Sequence, residues 1–220
     1  MAPFLRLTDL DLHQKRVLIR EDLNVPLEQG RIMNDARIRA ALPTLRYAWQ
    51  HGAAVVILSH LGRPEEGKLT PALSLAPVAE RLQQLLGQPV RFVEHWIDGF
   101  PLTPGDIVLC ENVRFERGEK ENDPLLAKKI AQLGDIFVMD AFATAHRCEA
   151  STVGVANFSK QCCAGLLLNA ELQALSRALQ DPQTAFAGIF DRKVECLDSR
   201  RGYRQYFSRC ARFFLRDVVS

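Results

Sequence analysis

The sequence predicts an α/β domain with a doubly wound, mostly parallel sheet and helices on both faces. Three observations predict it. Short β-branched apolar runs recur along the first 140 residues. Amphipathic stretches with helical spacing separate them. The runs are apolar throughout instead of alternating, as in strands covered on both faces.

The first strand is Arg16-Val17-Leu18-Ile19-Arg20. A helix over 37–51 follows, with Ile38, Ala41, Leu42, Leu45 and Trp49 close to one face. Ala54 to Leu58 forms the second strand. The next helix spans 74–86, with Ser74 as its N-cap and Gly87 as its stop. Asp106 to Leu109 is the third clear strand. A helix over 124–134 has Pro near its start and Gly at its end. Asp135 to Met139 is the fourth strand, and a last long helix over 164–179 closes at Asp181-Pro182.

Composition fits this class. Of 220 residues, 47% are hydrophobic and 25% charged, which excludes a disordered or low-complexity chain. No apolar run approaches the roughly 18 residues a membrane span needs. The Met1 to Arg6 segment lacks the basic-then-apolar pattern of a secretory signal, so the reading is a cytoplasmic protein. Six cysteines show no C-x-x-C pair or Cys/His ligand spacing and read as reduced thiols. The net charge of +2 is uneven. Residues 1–190 carry 20 Lys/Arg against 22 Asp/Glu, and residues 191–220 carry 8 against 4. The basic excess therefore belongs to the tail.

In open α/β sheets ligands bind beyond the carboxyl ends of the strands. The segments there bring Asp22, Asn24, His60, Arg63, Glu111, Arg114, His146 and Arg147 toward one edge. Such an arginine cluster suits a small, multiply charged anion, because guanidinium forks bind phosphate and carboxylate bidentately. Each residue also has a bland reading. Asp22 and Asn24 can shape a turn before Pro26, and Glu111 can pair with a neighbouring Arg. The histidines can be structural, and Arg37 can be a solvated helix charge. Four strand ends delivering anion-suited groups together weigh against that. No G-x-x-x-x-G-K-[ST] or G-x-G-x-x-G occurs, so this domain carries no nucleotide fingerprint.

Five segments, in order, resemble the phosphoglycerate kinase family. They are Val17 to Pro26, Asp35 to Arg39, Ser59 to Pro64, Leu109 to Phe115 and Asp140 to Arg147. The resemblance covers about residues 5–190 and implies the N-terminal lobe of a two-lobed glycolytic kinase. Such an enzyme moves a phosphoryl group between ATP, held with Mg²⁺, and the carboxylate of 3-phosphoglycerate, giving 1,3-bisphosphoglycerate. The resemblance places Asp22, Leu23 and Asn24 at the substrate's hydroxyl and carboxylate. His60, Leu61, Gly62, Arg63, Arg114 and Arg147 would grip the 3-phosphate. Arg37 would reach the carboxylate and the transferring phosphoryl group, so its loss should lower turnover more than affinity. Ala143 stands where the family commonly has Gly, which is tolerable if its φ is negative.

The family continues for about as many residues again, whereas this chain reaches Ser220. The resemblance divides it into a phosphoglycerate-binding domain over 1–180, inter-lobe helix included, and a 181–220 segment that is a vestige of the nucleotide lobe followed by a divergent, poorly ordered tail. Where a paired-glycine nucleotide loop should stand, the chain reads Ala187-Gly188-Ile189-Phe190-Asp191-Arg192-Lys193; Lys193 is a candidate displaced nucleotide lysine. The expectation is a prematurely ended or frame-shifted product without activity of its own, from a family whose members are usually monomeric. The competing readings are a non-catalytic lobe that binds phosphoglycerate or a partner, and, less favoured, a nucleic-acid binder acting through the arginines and aromatics of the tail.

Overall fold

The structure, a computed structural model, describes residues 4–145 and 147–180. The readings on His146, on Lys193 and its loop, and on the basic tail lie outside the described residues.

The elements in chain order are β1 (Arg16–Arg20), β2 (Leu27–Glu28), β3 (Arg31–Ile32), α1 (Ala36–Gln50), β4 (Ala54–Leu58), α2 (Ala76–Leu86), β5 (Arg91–Val93), β6 (Ile107–Cys110), α3 (Pro124–Ala131), β7 (Ile136–Met139), α4 (Phe142–Ala145), α5 (Val155–Phe158), β8 (Cys162–Ala164) and α6 (Leu166–Gln180). Six strands form one parallel sheet in the order β5-β6-β4-β1-β7-β8, and β2 and β3 make a small antiparallel hairpin.

Alternate residues of the central strands feed two cores, which is why these runs carry no polar alternation. Val17, Ile19, Val55 and Ile57 pack with Ile38 and Leu45 of α1 and Val78 and Leu82 of α2. Leu18, Val56, Phe137 and Met139 pack on the other side with Leu126 and Ile130 of α3 and Val155 of α5. Each such side chain removed from water contributes about 1.5–3 kcal/mol. The doubly wound arrangement is the one the sequence predicts.

Boundaries differ in instructive ways. α2 starts at Ala76, not Ser74; Ser74 Oγ instead accepts from the Ala76 N–H at 3.2 Å, and Glu111 holds the approach. Gly87 ends the helix with φ +70°, which favours glycine. α3 is capped by Asp123, which accepts from the N–H groups of Leu125 and Leu126, both at 2.8 Å. Residues 162–164 are an edge strand beside β7, so the last helix begins at Leu166 and not Ala164. Ala143 lies in α4 and is not among the residues of positive φ.

The chain leaves β1 toward β4 on one side, then returns from β6 through α3 to β7 on the other side of β1. Folds of this kind bind ligands at such a reversal, here between β1 and β7, beyond the carboxyl ends of the strands.

Candidate functional site

β1 ends in a charged residue that the fold encloses completely. Arg20 is 0% exposed. Its Nε donates to Ser151 Oγ at 3.0 Å, one terminal nitrogen donates to the Glu21 carbonyl, and the other lies 3.3 Å from Nδ1 of His60. Ser151 in turn donates its hydroxyl and its N–H to the carboxylate of buried Glu119. Burial lifts the Glu119 carboxyl to about 7, against the pull of Arg20 and the Ser151 hydrogen bonds. Burial likewise lowers the Arg20 pKa, opposed by Glu119 and Glu149.

The segment after β1 is tied to the one after β4. The Leu23 N–H donates to Ser59 Oγ at 2.8 Å, and Asn24 Oδ1 accepts from the Gly62 N–H at 2.9 Å. Leu23 and Leu61 send their side chains into the core, so only their backbones can serve a ligand. Gly62 has φ +60°, and a Cβ there would lie 2.7 Å from Leu73 Cδ2. Its carbonyl accepts from Arg114 at 2.7 Å. Asn112 locks the same loop: its Oδ1 accepts from the N–H groups of Leu61 and Arg114, and its amide donates to the carbonyls of Leu61 and Leu73.

Three of the four arginines predicted to face a ligand already have carboxylate partners. Arg114, buried, lies 3.1 Å from Glu149, and Arg147 reaches the same oxygen at 3.7 Å. Arg37 is half-exposed and paired with Asp22. Arg63 is exposed and makes no hydrogen bond or ion pair among the described residues. Arg114 Nε and Glu149 Oε2 are buried without partners among the described residues, which leaves polar valence unspent at the strand ends. His60 is buried under burial-driven desolvation and the fields of Arg20, Arg114, Arg147 and Arg37, which together push it down to about 2. The ring is neutral at physiological pH.

Among the described residues Glu111 pairs with no arginine. Its carboxylate accepts from Ser74 Oγ at 2.6 Å and from the N–H groups of Leu75 and Asn112 at 2.8 and 2.7 Å, so it fixes the start of α2. The residues that sequence reasoning missed are Arg20, Glu119, Glu149 and Ser151. Only Arg20 left a visible sign, a charge closing an apolar strand. Among the described residues no group of three or more His, Cys, Asp or Glu could hold a metal ion, and no helix is long and apolar enough to cross a membrane.

The strand-end arrangement can hold a compact anion: cations on loops after three different strands, a neutral histidine, and backbone pinned by Asn24, Ser59 and Asn112. A phosphoglycerate kinase from Coxiella burnetii is 56% identical over 183 residues, 83% of this chain and 47% of that protein. One from Nitratidesulfovibrio vulgaris is 57% identical over 185 residues, 84% of this chain and 47% of that protein. The solved Coxiella burnetii structure superposes with a TM-score of 0.80 at 58% identity, covering 83% of this chain and 46% of that one. The phosphoglycerate kinase of Pyrococcus horikoshii gives 0.72 at 36%, covering 82% and 47%. The chain thus spans about half the length of the curated relatives it matches. The family model for phosphoglycerate kinase matches residues 7–191, and the chain belongs to the phosphoglycerate kinase family.

Proposed function

We propose that residues 1–180 serve as the acceptor-substrate domain of a phosphoglycerate kinase, binding 3-phosphoglycerate or 1,3-bisphosphoglycerate at the reversal between β1 and β7, within cytoplasmic glycolysis. The observation that carries this reading is the convergence of Arg37, His60, Arg63, Arg114 and Arg147 at one sheet edge, with Arg114 Nε left unpartnered.

In this reading Arg63, Arg114 and Arg147 hold the 3-phosphate through charge-assisted hydrogen bonds, with His60 and the Gly62 loop beside them. Asp22 and Asn24 hold the hydroxyl end. Arg37 exchanges its partner: the substrate carboxylate takes the place of Asp22 on the guanidinium, which then stabilises charge as the phosphoryl group moves. Phosphoryl transfer asks mainly for positioning and for charge stabilisation, and arginines supply both at any physiological pH.

ATP or ADP with Mg²⁺ would supply the phosphoryl group. The described residues offer neither a phosphate-cradling glycine loop nor a metal cluster, so they do not fit that group. A coupled assay with 3-phosphoglycerate and MgATP tests the kinase reading: turnover above background supports it. Saturable substrate binding without turnover supports a binding domain alone, and neither result would reject both.

A further inference from the structure

His60 stands among the arginines of the strand-end site. The Arg20 guanidinium lies 3.3 Å from His60 Nδ1. Arginine has five N–H donors, no acceptor, and keeps its charge, so a ring nitrogen facing it must present a lone pair. A neutral imidazole has one acceptor and one donor; with Nδ1 accepting, the proton sits on Nε2.

Arg20 is placed independently of the histidine. It is fully buried and anchored by Ser151 Oγ and the Glu21 carbonyl. The histidine therefore adapts to the arginine. The strongest fields on the ring are those of Arg20 from the end of β1, Arg114 from the turn after β6, Arg147 from the segment after α4 and Arg37 from α1. These four cations disfavour an imidazolium, and the carboxylates nearby, Asp22 and Glu149, are already paired with three of them. Nε2 has no hydrogen-bond partner among the described residues, so its N–H is free for a ligand.

We propose that Arg20 is the positioning residue for His60, holding it as the neutral Nε2–H tautomer so that it meets the anion as a single N–H donor and not as a cation. This rests on the phosphoglycerate reading and deepens it. Arg20 itself need not touch the ligand. Protonation of His60 then contributes nothing to the affinity in mild acid.

The test is nitrogen NMR on the full chain labelled with ¹⁵N-histidine, His60 being assigned by its disappearance in His60→Gln. The expected result is one pyrrole-like nitrogen at Nε2 and one pyridine-like nitrogen at Nδ1, unchanged from about pH 8 to about pH 5.5. Arg20→Met should release the ring into a mixture of tautomers. An Nδ1–H tautomer, or an imidazolium titrating within that range, overturns the proposal. Should Arg20→Met fail to fold, calorimetry with 3-phosphoglycerate on two His60 variants decides. The glutamine amide reaches about where Nε2 lies, and the asparagine amide only to Nδ1. His60→Asn should bind at least about tenfold more weakly than His60→Gln; equal losses contradict the donor role. No saturable heat in the wild type, with the tautomer as expected, would instead reject the substrate reading and leave the state of the ring standing.

Discussion

The carboxyl groups of Glu21 and Asp140 meet at the ends of β1 and β7, both enclosed. Neither Glu21 oxygen has a hydrogen-bond donor among the described residues, and Asp140 Oδ2 lacks one as well. The opposite oxygen of Asp140 accepts the Leu168 N–H at 2.9 Å, at the start of α6, while Thr44 Oγ1 accepts the neighbouring Leu166 N–H at 3.1 Å. Burial raises Glu21 well above the ordinary carboxylate range, and the charge of Asp140 and their shared hydrogen bond add to it. Burial lifts Asp140 to about 6, opposed by hydrogen bonds from Thr44, Leu168 and Glu21. A proton shared between them would link the two strand ends to the helix that the family resemblance identifies as inter-lobe.

The sign of the resulting pH dependence is fixed. In the unfolded chain Glu21 ionises near 4.5, and in the fold only at higher pH. Between these values the unfolded chain binds fewer protons, so stability falls as pH rises. Asp140 adds the same sign from 3.8 to about 6. Glu21→Gln supplies an amide donor to Asp140 with no proton to lose. Urea melts from pH 4 to pH 8 should show a flatter decline and a more stable variant at pH 8, the gap closing near pH 4. Parallel curves would contradict the shared proton.

Gly165 packs against Asp140. A Cβ there would lie 2.2 Å from Asp140 Oδ1 and 2.4 Å from its Cγ, and that side chain is tethered and cannot swing away. Gly165→Ala should cost about 1–3 kcal/mol in thermal unfolding, the usual range for overpacking. A neutral substitution would mean that α6 is free to shift.

Asn112 satisfies two N–H groups and two carbonyls in three segments. Asn112→Ala strands these buried groups and should cost about 2–4 kcal/mol in urea melts. A loss under about 1 kcal/mol would show that water replaces the side chain there.

In the proposed site Glu149 competes with the anion for two arginines. It neutralises Arg114 and Arg147 in the free protein, so Glu149→Gln leaves a buried guanidinium without its counter-charge. The variant should be less stable by about 1–3 kcal/mol, yet bind 3-phosphoglycerate several-fold more tightly at low salt. Calorimetry beside denaturant melts separates the two effects, and weaker binding would make Glu149 a support for the arginines and not their competitor.

The sheet was readable where strands are apolar on both faces: β1, β4, β6 and β7 stand out as continuous runs. The short edge strands were not. Arg91–Val93 and Cys162–Ala164 are three residues each and gain their conformation by pairing with β6 and β7, a tertiary effect that local pattern does not carry. The cations at the strand ends were visible as residue types. Their partners were not, because Glu119, Ser151 and Glu149 lie far along the chain from Arg20 and meet it only once the sheet forms. Hence the pocket looked rich in unpaired charge, while in the fold Arg37, Arg114 and Arg147 all have carboxylates in attendance.

The most direct measurement is calorimetric titration of the full, folded chain with 3-phosphoglycerate at moderate salt, beside Arg114→Met. The account predicts saturable binding at one site, weakened by more than tenfold in the variant, which would correspond to over about 1.4 kcal/mol. No saturable heat from a folded wild-type chain, or equal binding by Arg114→Met, would contradict it.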